Sequence, residues 1–339
     1  MTLKKEGFMN QNQQKIIRKL KTPPKYLKKD IHHWADYLEL LCMVNMDGVV
    51  SKNDFIDRIR NLAGKNSDDN EEGEKDERAT KYSEKFERYA NDYFQVIEYR
   101  HNAFKAYYPF KLSEDSERIE LIENITNQHR FYFFLLYCST LGYCDSYSNK
   151  LTSLFELVSV RVMKNILPSQ AECFFFGSSN IEDLQSASNF YDRLAELVNT
   201  LGEHISSHLS PESLSKYHKG DGGLDIYGFV RLGDTLRHFP IYFAQCACTP
   251  EWLSKQNSSK RGRWNNFMTF AVTPLNIIFI PFSFRSANGE WHEQYKIEDS
   301  ILMDRQRLIY NFDYCIDEFS QMPLFEIIDE ILDCKEELV

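Results

Sequence analysis

The chain has 339 residues, 42% of them hydrophobic and 14% aromatic, with 40 Lys and Arg against 50 Asp and Glu for a net charge of −10. That length suits two or three domains, and the 25 Phe and 19 Tyr exclude a disordered chain. The acidic balance excludes a wholly basic nucleic-acid coat, but not a local basic patch that grips phosphate.

The 8 Cys are scattered through the chain without zinc-ribbon CxxC spacing. No charged segment followed by an apolar run opens the sequence, so secretion is not expected and a cytoplasmic, reducing setting is. The longest apolar runs, Phe131 to Cys144 and Phe270 to Phe284, are too short to cross a bilayer.

In chain order, residues 1–66 read as a basic arm and a helical segment. The arm carries Lys4, Lys5, Lys15, Arg18, Lys19, Lys21, Lys25, Lys28 and Lys29, broken by Pro23-Pro24. It is either a phosphate-binding arm or a solvated terminus. Trp34, Tyr37, Leu38, Leu41 and Val44 recur at helical spacing. Asp47-Gly48 marks a turn, and Ser51 or Asn53 caps the next helix. Gly48 and Asp54 echo the back half of an EF-hand loop, but Met43 stands at the first ligand place and cannot bind calcium, which favours a plain helical pair.

Residues 67–79 are acidic and poor in apolar side chains, and predict a linker or loop. Residues 80–168 read as a helical domain. Tyr82, Phe86, Tyr89, Tyr93 and Ile97 share one face, Ser113 with Glu117 opens a second helix, and Ile122 to Tyr137 predicts a core helix. Leu151 to Ile166 forms another, stopped by Pro168. Aromatics at this period predict a packed core rather than a base-stacking surface.

Residues 170–320 change character. Ala171 to Gly177 predicts a short strand, and Ile181 to Ser207 a helix with Asp192, Glu196 and Glu203 on one face. His204 and His208, four apart on that helix, have zinc-ligand spacing but lack the surrounding motif. His218 to Trp252 then reads as a hairpin. Gly220, Gly222 and Gly223 deliver Asp225 onto a strand over Leu224 to Leu232. A turn at Gly233-Asp234 leads to a second strand over Pro240 to Cys248, carrying Gln245. An Asp beside a carboxamide oxygen suits a hard divalent cation. Cys246 and Cys248 flank Ala247 and read as buried, inert thiols. Beyond Thr249-Pro250 a helix carries Lys255 towards Lys260, Arg261, Arg263 and Trp264, which together could hold a phosphate backbone or stack on a base. Leu275 to Phe284 predicts a buried strand, Asp299 to Phe312 a helix, and 321–339 a C-terminal helix.

The run GDGGLD, a strand, then AQC resembles the core of the PD-(D/E)XK, restriction-endonuclease-like nuclease superfamily, in the branch of Holliday-junction resolvases and type IV restriction enzymes. That pattern is a helix bearing an acidic residue, then G-x-G-G-(I/L)-D on a strand, then (E/Q)-x-K on the next. Asp225 and Gln245 match, over roughly Asn189 to Phe284; Ala247 stands where the Lys belongs. The resemblance implies a mixed α/β fold, a central sheet flanked by helices, behind an all-helical N-terminal region. It implies Mg²⁺ or Mn²⁺ held by Asp225, Gln245, the carbonyl of Cys246 and a helix carboxylate, with Glu196 ahead of Asp192 and Glu203. Lys255, then Lys260, would stand in for the missing Lys, and Lys255, Lys260, Arg261 and Arg263 would contact DNA. The function it implies is metal-dependent DNA cleavage in prokaryotic defence, with homodimerisation and an ATPase or sensor subunit as partners and no membrane. The alternative is a catalytically impaired module that binds nucleic acid or assembles with others. No Walker motif is present, so any NTP-driven step needs another chain.

Overall fold

The computed structural model describes residues 9–22, 31–64, 75–177, 189–217, 220–312 and 323–338. The start of the helix expected at Ile181, His218, most of the expected acidic linker and much of the basic arm lie outside these residues. The chain divides into two compact units. One comprises Met1–Ser146, Phe282–His292 and Ile316–Val339; the other comprises Tyr147–Pro281 and Glu293–Cys315. The protein is thus mixed α/β, with two sheets among the described residues. Among the described residues no helix is long and apolar enough to cross a membrane.

The first unit holds α1 (Gln11–Leu20), α2 (Ile31–Val44), α3 (Lys52–Gly64), α4 (Lys75–Phe104), α5 (Asn127–Cys138) and α12 (Pro323–Leu332). It is not all-helical. Strands β1 (Val49–Ser51), β2 (Phe110–Leu112) and β3 (Arg118–Leu121) form an antiparallel sheet in the order β1-β3-β2. The helix expected from Ser113 is a hairpin turn instead. Asp115 Oδ1 accepts from Ser113 Oγ at 2.6 Å and from Glu117 N at 3.1 Å, and Ser116 takes φ 56°, so the backbone reverses before a helical turn can form. Ser51 does cap α3, with Asp54 N donating to its hydroxyl at 3.1 Å. In the EF-hand-like stretch, Asp47 Oδ1 takes hydrogen bonds from Asn45 Nδ2 at 2.7 Å and Val49 N at 3.0 Å, so that carboxylate closes the turn itself.

The aromatic stripe of α4 is core over its later turns: Tyr93 and Ile97 are buried and Tyr93 stacks on Trp34 at 5.5 Å, while Phe86 and Tyr89 are half-buried and the Tyr82 side chain lies outside the described residues. At its centre lies a fully buried ionic network. Arg100 Nη1 stands 2.8 Å from Asp36 Oδ1 and 3.0 Å from Glu39 Oε2, while Tyr108 and Tyr132 donate to Glu39 at 2.9 and 2.8 Å. One guanidinium therefore serves two carboxylates. Replacing Arg100 by Met should cost about 3–5 kcal/mol, because two buried charges lose their partner. Denaturant unfolding measures this, and a cost below about 1 kcal/mol would show that the network holds nothing together.

The second unit is built on a five-stranded sheet, in the order β4 (Glu172–Phe175), β5 (Ile226–Phe229), β6 (Ile241–Cys246), β7 (Leu275–Phe279), β8 (Ile301–Met303). The first three are antiparallel neighbours, whereas β6, β7 and β8 run parallel. Its helices are α6 (Ser148–Ile166), α7 (Phe190–Leu201), α8 (Pro211–Tyr217), α9 (Trp252–Lys255), α10 (Arg261–Trp264) and α11 (Arg305–Phe312). The helix expected over Asp299 to Phe312 therefore begins as a strand. Helix α6, expected with the N-terminal helices, belongs to this unit.

Alternation along β5 and β6 sets the two faces of the sheet. Tyr227, Phe229, Ile241 and Phe243 pack with Leu194, Leu197 and Leu201 of α7 and with Trp264 and Phe267 into one core. On the other face α6 lies so close that a Cβ at Gly228 would stand 2.9 Å from Met163 Cε. The connection from β6 to the parallel strand β7 carries α9 and α10, the long crossover that parallel pairing requires. Buried Asn276 of β7 pins this connection: it accepts from Ser259 Oγ at 2.6 Å and donates to Gln256 O at 3.0 Å.

Candidate active site

Two consecutive glycines form the entry to β5. Gly222 and Gly223 take φ 65° and 82°. A Cβ at Gly222 would lie 2.9 Å from Phe190 Cε2, and one at Gly223 would lie 2.6 Å from Ser258 Cβ and 3.3 Å from Gln245 Oε1. The loop is thus pressed between α7 and the crossover, and Asp221 Oδ1 closes its turn by accepting from Gly223 N at 2.7 Å.

This loop delivers Asp225 into a fixed place. Its N–H donates to Ala244 O at 3.0 Å, and its carbonyl accepts from Phe176 N at 2.8 Å, so strands on both sides hold its backbone. Its carboxyl is buried, and Oδ2 accepts from Cys246 N at 2.6 Å and from Gln245 Nε2 at 2.5 Å. Gln245 Nε2 also donates to Cys246 O at 3.3 Å. Two oxygens, Asp225 Oδ2 and the Cys246 carbonyl, therefore converge on one point, held by the carboxamide NH₂. The pairing of β5 with β6 brings together the Asp, the Gln and the carbonyl singled out from the sequence.

The helix carboxylate whose charge acts on Asp225 is not the expected one. Burial pushes the Asp225 carboxyl well above the usual range, and the charges of Glu156 and Asp221 push it further. Glu156 itself is pushed up to about 7 by burial and the Asp221 charge. Glu156 lies on α6, three residues before Ser159, whose hydroxyl hydrogen-bonds the Cys246 thiol. Glu196 is exposed, and the group its charge acts on is Tyr227. Asp192 is exposed beside the Asn189 cap. Glu203 falls beyond the end of α7, buried against Arg237, Thr269 Oγ1 and Ala271 N. The expected single face fails because Gly202 turns left-handed, at φ 68°, and ends the helix first. For the same reason His204 and His208 have no helical spacing.

Glu156 left a trace in the sequence: it is the one charge in LFELVSV, where Leu154, Phe155, Leu157 and Val158 are all buried. Arg193 of α7, also buried, left less. Its Nη2 donates to Gly220 O at 2.9 Å, and the charge of Asp221 acts on it against the effect of burial.

The basic residues expected at the site have other neighbours or face solvent. Lys255 is half-buried on α9, with Glu251 as a charged neighbour. Lys260 pairs with Glu298 at 3.3 Å, and Arg261 donates to Thr273 Oγ1 at 2.6 Å. Arg263 is exposed on α10. Trp264 is no stacking platform: it is fully buried, with Nε1 donating to Ser258 O at 3.2 Å.

The carboxylates and carbonyls near Asp225 are the oxygen donors a hard divalent cation prefers, while Gln245 presents its NH₂ to Asp225 Oδ2. Among the described residues no three His, Cys, Asp or Glu side chains are drawn together tightly enough to hold a metal ion by themselves. The amide oxygen of Gln245 and the Cys246 carbonyl would have to complete the shell. No family model, curated protein or solved structure matches the chain.

The raised carboxyls make the fold sensitive to pH. Glu156 keeps its proton up to about 7 when folded, against an ordinary value of 4.5, so its stabilising contribution is full below 4.5 and is lost as pH rises through about 7. In metal-free buffer, the melting temperature of Glu156→Gln should therefore fall less than that of the wild type between about pH 5 and about pH 8. Parallel profiles would remove Glu156 from the cluster.

Proposed function

We propose that the second unit is a metal-dependent nuclease domain of the restriction-endonuclease-like kind, hydrolysing DNA phosphodiester bonds. The observation that carries this reading is the convergence of Asp225 Oδ2 and the Cys246 carbonyl on the Gln245 amide, beside a second carboxylate on a helix packed against the sheet. An acid-bearing helix, an Asp on one strand and a Gln on the next is the order of the resembled pattern, with α6, β5 and β6 in those places. The finer features of that fold and its cation are inferred from this order and from the oxygen donors.

Asp225, Glu156, the Gln245 oxygen after its amide turns over, and the Cys246 carbonyl would hold Mg²⁺ or Mn²⁺. When bound, such an ion polarises the phosphoryl group and acidifies a water. The residues do the rest. Asp225 is buried, and its hydrogen bond from Cys246 N holds Oδ2 beside the Cys246 carbonyl. Lys255, on the first helix after β6, orients the attacking water and offsets developing charge, which Ala247 cannot do. DNA as substrate, a role in prokaryotic defence, and an ATPase or sensor partner rest on the resemblance.

A second reading, a module that binds without cleaving, has one observation in its favour. Ala247 is 0% exposed and its N–H donates to Phe279 O at 2.9 Å, so no cationic side chain starts from that position.

Plasmid incubated with Mg²⁺ or Mn²⁺ decides between these readings. The wild type should cleave, Asp225→Asn and Glu156→Gln should not, and Lys255→Ala should lose about 100-fold or more in rate with its fold intact. Binding of DNA without cleavage by the wild type would select the module. Cleavage undiminished in Asp225→Asn would rule out this site.

A further inference from the structure

The carboxyls of Glu156, Asp221 and Asp225 act on one another, yet position 247 supplies no cation to balance them. One cation faces Asp221 of this group. Arg193 of α7 is only 6% exposed, and it reaches from the core face of the sheet to the glycine loop. Its Nη2 donates to Gly220 O at 2.9 Å, its guanidinium lies 5.7 Å from the centre of the Phe176 ring, and Asp221 is its charged neighbour. Phe176 in turn donates its N–H to the carbonyl of Asp225 at 2.8 Å.

Among the described residues, Arg193 Nε has no hydrogen-bond partner. A buried charged N–H without an acceptor is costly, and native proteins leave few of them. The acceptor that would relieve it is not among the described residues. Gly220, the loop residue whose carbonyl Arg193 holds, is exposed, and nothing lies within 4 Å of where its Cβ would stand. An anion would approach from this exposed loop.

We propose that Arg193 is the built-in cation of this site and that its free Nε–H is kept for a phosphate oxygen of a nucleic-acid backbone. The inference rests on the nuclease reading and divides the work of the missing lysine. A guanidinium stays protonated and presents several N–H groups in one plane, which suits a phosphate. It therefore binds and neutralises, and cannot serve as the base for water. Proton transfer is left to another group, Lys255 in the reading above. Arg193 also keeps the three carboxylates from repelling the backbone they must approach.

The test compares wild type, Arg193→Gln and Arg193→Lys in Mn²⁺ binding by calorimetry, thermal melting, affinity for a short DNA duplex in Ca²⁺, and cleavage in Mg²⁺. Arg193→Gln should take up Mn²⁺ at least as tightly as the wild type and melt near it. It should bind duplex about tenfold more weakly, with a salt dependence shallower by about one ion. Its cleavage should fall in kcat as well as rise in KM, and Arg193→Lys should recover part of the affinity through its charge. Wild-type affinity and cleavage in Arg193→Gln would overturn the proposal. So would a large drop in melting temperature with loss of Mn²⁺ uptake in both variants, since Arg193 would then be only a brace for the loop. A wild-type protein that binds Mn²⁺ but no DNA overturns this inference and leaves the metal site standing. One that binds neither removes the nuclease reading with it.

Discussion

The second unit depends on one buried carboxyl being held in place. Asp225 sits where β5 begins, gripped through its backbone by β6 on one side and by the Phe176–Gly177 segment on the other. Its side chain is gripped again by the N–H of Cys246. Burying an acid in this way is unfavourable unless hydrogen bonds or a positive charge answer it. The protein supplies two hydrogen bonds and then adds Glu156 and Asp221, which make matters worse. A fold under no other demand would place apolar or neutral side chains here, and that excess of acid is the physical reason for reading the place as a cation site.

The surroundings serve the same end. Asn276 ties the crossover to β7, Trp264 holds the carbonyl of Ser258, and Ser258 fills the space left by the missing side chain of Gly223. The crossover, the glycine loop and the strand ends therefore position each other through contacts that a single methyl group would disturb. Such rigidity is what a site needs if its polar groups are to stay in place without a ligand.

Much of this was legible in the sequence, for identifiable reasons. Strand alternation and the glycines placed Asp225 and Gln245 side by side, because pairing of adjacent strands is a local matter set by a hairpin. The buried strand at LNIIF was equally plain. The helix carboxylate was not. Sequence order pointed to α7, the longer of the two described helices between β4 and the glycine loop, but α7 turns its apolar face to the core and leaves Glu196 exposed on the other. The acid comes from α6, some seventy residues before Asp225 on the opposite face of the sheet, and only tertiary packing could reveal that. The three-stranded sheet of the first unit escaped for another reason: Ser113 followed by acidic residues reads as a helix start, whereas Asp115 takes hydrogen bonds from the Ser113 hydroxyl and the Glu117 N–H and turns the chain.

The first unit carries a buried ionic network of its own, but its carboxylates already have Arg100 and two tyrosines. Among the described residues around Asp225, Arg193 answers the charge of Asp221, whereas Asp225 and Glu156 gain further acid as neighbours, and this contrast distinguishes the two clusters. The most direct measurement is a crystal soaked in Mn²⁺ and examined for anomalous scattering. The account predicts a single strong peak about 2 Å from an oxygen of Asp225 and an oxygen of Glu156, with the Gln245 amide turned over. A map with no peak beside Asp225, at Mn²⁺ concentrations that occupy other carboxylates of the protein, would contradict it.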